Sequence, residues 1–167
     1  MRYIMLFLLP CIAIFLQSTL FSFFSIKGAL PDMVLIFVVF FALLNNVYKS
    51  TAYGFLCGLM EDLYMGRFIG INAIAKGLTA YIFGKLQGNV FKENIFVGII
   101  GVFFATILNA ICLFVLSIIS FDTFHIDISM VYSVFYQIIY NVLVSAPVYI
   151  WFYNSSKEGI LRSVGER

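Results

Sequence analysis

The chain has too few charges to cover a surface that faces water. Charged residues are 11% of its 167 and hydrophobic ones 63%, whereas a soluble domain carries about 25% charged residues. The solvent for most of its surface must therefore be lipid, which excludes a water-soluble globular fold. The length suggests one domain. The net charge of +2 is small and the basic residues do not cluster, so no nucleic-acid-binding patch is expected. Cys11, Cys57 and Cys112 all lie in apolar runs. An odd count in such places reads as small core side chains rather than a disulfide framework.

A helix needs about 20 apolar residues to cross the hydrocarbon core, at about 1.5 Å each. Residues 3–24 fit as the first helix. That run is longer than the apolar part of a signal peptide and lacks a small-x-small cleavage site. Leu8-Leu9-Pro10-Cys11 faintly resembles a lipoprotein site, but the proline does not suit the peptidase, so the segment is read as a retained helix. Lys27, Gly28, Pro31 and Asp32 make a turn. Residues 33–44 are purely apolar but short, so the second helix must borrow flanking residues or sit where the bilayer thins. Asn45, Asn46, Lys49 and Ser50 break it. A third helix follows over 51–65. Gly66, Arg67 and Gly70 form a tight turn into a fourth over 71–86. After a polar loop over 87–94, the fifth (95–121) and sixth (130–153) are long and rich in Phe and Ile. The expected fold is an all-α integral membrane protein, a six-transmembrane-helix bundle over 1–153 with a short cytoplasmic tail over 154–167.

Six crossings put both ends on one side. If that side is the cytoplasm, it holds Arg2, Lys49, Lys85, Lys92, Lys157, Arg162 and Arg167, while the far side holds Lys27 and Arg67, with Lys76 inside the membrane. The positive-inside rule therefore places both termini in the cytoplasm. The loop between the fifth and sixth helices carries Asp122, His125 and Asp127 but no Lys or Arg, which suits the outer face. Tyr132, Tyr136, Trp151 and Tyr153 lie near the two ends of the sixth helix, at headgroup depth.

Helices three and four carry the residues that need a reason. Gly54, Gly58 and Asp62 are spaced by four and share one face. Ala73, Gly77, Ala80 and Gly84 form a similar face on helix four, with Lys76 beside it. Small residues at this spacing let backbones approach closely. Glu61, Asp62 and Lys76 are ionisable groups at membrane depth, each costing about 2.5–3.5 kcal/mol at a helix centre. The short turn puts Asp62 and Lys76 at similar depths, so the expectation is an Asp62–Lys76 ion pair. Such a pair can pin two helices, form a substrate or proton site, or bind a partner. Gln17, Asn72, Asn109, Gln137 and Asn141 lie within spans and read as interhelical hydrogen-bonding groups. Pro147 is expected to kink helix six, with Ser145 relieving a freed carbonyl, and Pro10 to act similarly in helix one. Catalysis is poorly supported: His125 is the sole histidine and falls in an outer loop. The sequence offers no nucleophile–base arrangement, metal-ligand cluster or glycine-rich phosphate loop. No catalytic residue, cofactor or metal is assigned.

Several of these residues recur in order. Pro31-Asp32 stands before helix two. Gly54-Phe55-Leu56-Cys57-Gly58-Leu59-Met60-Glu61-Asp62-Leu63 follows, then Gly66, Ile69-Gly70-Ile71-Asn72-Ala73 and Ala80-Tyr81-Ile82-Phe83-Gly84. The series resembles the rod shape-determining MreD family, which has a Pro-Asp before its second helix, a G-x-x-x-G-L-x-x-D stretch and a glycine-rich turn into the next helix. The resemblance covers residues 28–86 by motif and the rest by length and hydropathy; Lys76 falls outside the pattern. It implies a non-enzymatic scaffold of the bacterial inner membrane, supporting rod shape and lateral peptidoglycan synthesis. The implied direct partner is MreC, with RodA, a peptidoglycan transpeptidase and MreB in the same complex. It also implies a fold similar to the substrate-binding (S) components of ECF transporters.

An ECF-type vitamin or small-molecule transporter subunit is the alternative. Such subunits dock through small residues spaced by four on helix one, where this chain has a single alanine, Ala13, followed at that spacing by Gln17. A third reading is a proton-coupled carrier using Asp62 and Lys76, although no inverted repeat is visible. Helices one, five and six, with Phe7, Phe15, Phe103, Phe104 and Phe114, offer a broad apolar surface for membrane lipid or a partner helix.

Overall fold

The computed structural model describes residues 2–23, 25, 29–66, 68–87, 95–120 and 128–157. They form six helices: α1 (Arg2–Phe23), α2 (Met33–Leu44), α3 (Val47–Met65), α4 (Ile71–Leu86), α5 (Ile95–Ser120) and α6 (Ile128–Lys157). Lys27, Gly28, Arg67, Lys92, Asp122, His125, Asp127, Arg162 and Arg167, with the rest of the 88–94 loop and the tail beyond 157, lie outside the described residues.

α2 is the hub. It packs against each of the other five helices, and Met33 through Leu43 are all buried. Its 12 residues span about 18 Å at about 1.5 Å each, well short of an about 30 Å hydrocarbon core. A helix apolar on every side belongs inside an assembly, and this one is sheathed by its neighbours without borrowing flanking residues. The Asp32 carboxylate caps it, accepting from the Leu35 N–H at 2.8 Å.

The other helices present stripes to this hub. On α5 the buried residues are Gly98, Gly101, Val102, Ala105, Thr106 and Asn109, steps of three and four that keep one face inward. On α6 they are Asn141, Ser145, Tyr149 and Phe152. Tyr149 stands edge-on to Phe40 of α2, ring centroids 4.9 Å apart, and its ring lies where a side chain on Gly98 would sit. Outward faces are the reverse of a soluble protein's: Ile100, Phe104, Ile111 and Ile119 of α5 and Val131, Phe135 and Leu143 of α6 are all exposed. α5 and the Ile128–Ser155 stretch of α6 are long and apolar enough to cross a membrane; Ile4–Thr19 and Met33–Leu44 are shorter apolar helices.

Two boundaries differ from the sequence reading by a full turn, the others by two residues or fewer. α3 begins at Val47, so Lys49 and Ser50 are helical, and the break is confined to Asn45 and Asn46. Asn46 caps α3 by accepting from the Tyr48 N–H at 3.1 Å, while Ser50 buries its hydroxyl on the Asn46 carbonyl at 2.9 Å. α6 runs past Tyr153 to Lys157. Both helices continue through their prolines, Pro10 and Pro147. Ser145 donates to the Val142 carbonyl at 2.7 Å, not to that of Leu143, which Pro147 leaves without an intrahelical donor.

Candidate functional site

α3 and α4 form the tightest pair in the bundle, an antiparallel hairpin in van der Waals contact through its backbones. A Cβ on Gly54 would lie 2.6 Å from both Ala80 Cβ and the Lys76 carbonyl oxygen. One on Gly58 would collide with the Asn72 carbonyl and the Ala73 Cα. On Gly84 it would meet Val47 Cα at 3.0 Å. These three glycines have the close-approach role their spacing implies. Gly77 does not: its nearest neighbour is Phe55 Cβ at an ordinary 3.5 Å.

The turn is held by Asp62. Its Oδ2 accepts from the Gly70 N–H at 2.8 Å and the Ala73 N–H at 3.1 Å, and its Oδ1 from the Asn72 N–H at 3.1 Å and the Asn72 Nδ2 at 2.9 Å. The first N–H groups of a helix have no intrahelical acceptor and carry the positive end of its dipole. Gly70 offers no side chain to cap α4, so Asp62 does so from the preceding helix. The geometry needs left-handed backbone at Gly66 (φ 64°) and Gly70 (φ 115°), which glycine adopts without strain. The Gly66 N–H returns to the Asp62 carbonyl at 3.0 Å.

This arrangement corrects the expected ion pair. Asp62 is saturated by α4 donors, and Lys76 turns to two other carboxylates. Lys76 Nζ lies 2.9 Å from Asp32 Oδ2 and 2.5 Å from Glu61 Oε2. All three side chains are buried, Lys76 completely. Adjacent residues on a helix point about 100° apart, so Glu61 faces α2 while Asp62 faces the start of α4. The triad joins α2, α3 and α4 by charge. Asp32 extends it: its N–H donates to Asn141 Oδ1 on α6 at 2.7 Å, and Asn141 Nδ2 donates to Thr106 Oγ1 on α5 at 3.0 Å. A continuous polar line thus crosses five helices inside an otherwise apolar core.

Every candidate residue from the sequence except Gly77 has a part in this frame. Pro31 is buried at the entry to α2. Asp32, Glu61 and Lys76 form the triad. Gly54, Gly58 and Gly84 permit helix approach, and Asp62, Gly66, Gly70 and Asn72 build the turn. Sequence reasoning missed the Asp32–Lys76 contact. The available signal was that one buried ammonium had three nearby carboxylates to choose from. Among the described residues no group of His, Cys, Asp and Glu is placed to hold a metal ion.

A helical bundle with an apolar exterior and its charges paired inside is the construction of an integral membrane protein. The chain belongs to a particular family of them: the family model for the rod shape-determining protein MreD matches residues 1–157. The match extends well beyond the 28–86 stretch that carries the motifs. The family is non-enzymatic and acts in rod shape determination. No curated protein and no solved structure matches the chain significantly.

Proposed function

We propose that this protein is an inner-membrane scaffold of the bacterial elongation machinery that binds MreC directly and, through it, joins RodA, a peptidoglycan transpeptidase and MreB. The observation that carries this reading is how the motif residues are used. Gly54, Gly58, Asp62, Gly66, Gly70 and Asn72 all serve to lock the α3–α4 hairpin. Residues that only fix a shape support a role in presenting surfaces to partners.

In this reading all six helices cross the bilayer with both termini in the cytoplasm. The distribution of Lys and Arg supports that orientation. The short α2 supports a bundle in which longer helices face the lipid, as in a fold of the ECF S-component type. The broad apolar faces of α5 and α6 then serve lipid or a partner helix.

Co-purification tests the proposal. MreC co-expressed with this chain should be retained through detergent extraction and affinity capture. Site-specific crosslinks should join MreC to the membrane helices or outer loops. Capture only through the 158–167 tail, or tight vitamin binding by the isolated protein, would overturn it.

A further inference from the structure

A groove of about 390 Å³ separates the first half of α1 from α3. Leu6, Phe41 and Cys57 of its lining are buried, whereas Phe7 on one side and Leu56 on the other are exposed, so it opens outward. From Lys49 to Met60 the lining runs about 16 Å along α3, at about 1.5 Å per residue. That is the depth of one leaflet, half of an about 30 Å hydrocarbon core. A helix of the same length, about 10–12 Å across with its side chains, fills roughly 1,300 Å³ or more. The groove offers about a third of that, room for a slender chain and not for a helix.

Charge gathers at one end of this apolar slot. Lys49 is the charged group of the lining and lies exposed in the first turn of α3. Its neighbour Tyr48 is 84% exposed, as suits an aromatic at headgroup depth. The positive end of the α3 dipole falls at the same level, and α3 has no acidic residue in its first turn to offset it. Lys85, in the last turn of α4, is brought to this end because Gly84 packs on Val47. Neither lysine has a carboxylate partner among the described residues. The described carboxylates are Asp32, Glu61 and Asp62, and all three are engaged at the opposite end of α3. Positive charge is thus uncompensated where the groove meets the headgroups, with an apolar channel below it.

We propose that this groove holds one fatty-acyl chain of an anionic phospholipid, from the leaflet at the end where α1 and α3 begin, with the lipid phosphate on Lys49 and the start of α3. The chain matches the length, girth and apolar lining of the groove. The phosphate answers the ammonium and the helix dipole together. A zwitterionic lipid has the same tail and phosphate but would bring its own cation up to Lys49 and Lys85. The site rests on the placement of the bundle in a membrane and not on the binding of MreC.

Photolabelling of the full-length protein in nanodiscs of equal parts phosphatidylglycerol and phosphatidylcholine tests this. A trace of either lipid carries a diazirine on its acyl chain, and labelled peptides are mapped by mass spectrometry. Labelling at Phe7, Leu56 and Met60 is compared with that at Phe104 and Ile111 on the exposed face of α5. The groove-to-α5 ratio should be at least threefold higher for the phosphatidylglycerol probe. Lys49→Gln should bring the two probes level, and Lys49→Arg should keep the difference. Ala52→Trp, which fills the groove from an exposed position, should remove groove labelling by both probes and leave α5 labelling unchanged. Equal ratios for the two probes in the unaltered protein would overturn the proposal, as would a preference that survives Lys49→Gln. Groove labelling seen with one copy per nanodisc but lost with two would give the groove to a second copy of the chain and overturn it as well.

Discussion

Removing the Lys76 ammonium is the most informative perturbation of this protein. In Lys76→Met the side-chain volume is nearly kept, so packing against the α3 backbone survives while the charge disappears. Asp32 retains the Leu35 N–H, but its Oδ2 and the Glu61 Oε2 both lose their cation. Breaking a buried ion pair by deleting one partner costs about 3–5 kcal/mol, because the surviving charge is left uncompensated. With two survivors the cost should fall at the upper end, about 4–5 kcal/mol. The triple variant Lys76→Met, Glu61→Gln, Asp32→Asn removes all three charges together. It should recover most of the loss, since an apolar or neutral replacement of a whole buried ion cluster is often close to neutral. Denaturant unfolding of the detergent-solubilised protein, followed by Trp151 fluorescence, measures each value. Coupling should be strong for Lys76 with Glu61 and with Asp32. It should be weak for Lys76 with Asp62, which sits on the α4 N–H groups instead. A cost below about 1 kcal/mol for Lys76→Met, or a triple variant equal to the sum of its singles, would refute the triad.

The remaining predictions concern the hairpin, the polar line and the topology. Gly58→Ala should destabilise by about 1–3 kcal/mol, because its Cβ meets α4 backbone that cannot move without overpacking. Gly77→Ala should be neutral or stabilising by up to about 1 kcal/mol, the helix-propensity gain, and thermal unfolding separates the two. Asp62→Ala should cost about 2–3 kcal/mol by orphaning the α4 N–H groups, with hydrogen exchange quickening first at Gly70, Asn72 and Ala73. Asn141→Leu should cost about 1–3 kcal/mol by leaving the Asp32 N–H and the Thr106 hydroxyl short of a partner, read in the same unfolding assay. Alkaline phosphatase fused after residue 27 or 125 should be active, whereas fusion at either terminus should be inactive; the reverse pattern would invert the topology.

Much of the frame was legible before any coordinates. Poverty of charge demanded lipid as solvent. The bounds of α2 and α4 followed from apolar runs ending at Asn45 and starting after Gly70. Glycines at positions 54 and 58 announced a close helix contact because backbone approach has a fixed four-residue period. The less legible boundaries were those where polar side chains satisfy themselves locally. Lys49 and Ser50 look like a break, yet Ser50 returns its hydroxyl to the preceding turn and the helix absorbs both.

The chain by itself determined the solvent, the helices, the hairpin turn and the family's motif order, since these depend on composition and short-range spacing. Which carboxylate Lys76 would choose was decided only by tertiary structure. Asp62 and Glu61 are neighbours in sequence, and the four-residue pattern favoured Asp62, which shares a face with Gly54 and Gly58. The N-terminus of α4 claims one of them, and α2 brings Asp32 up to the other. Long-range geometry settles such a choice because electrostatic partners are selected by distance and burial in three dimensions, and neither is encoded in the local period of a helix.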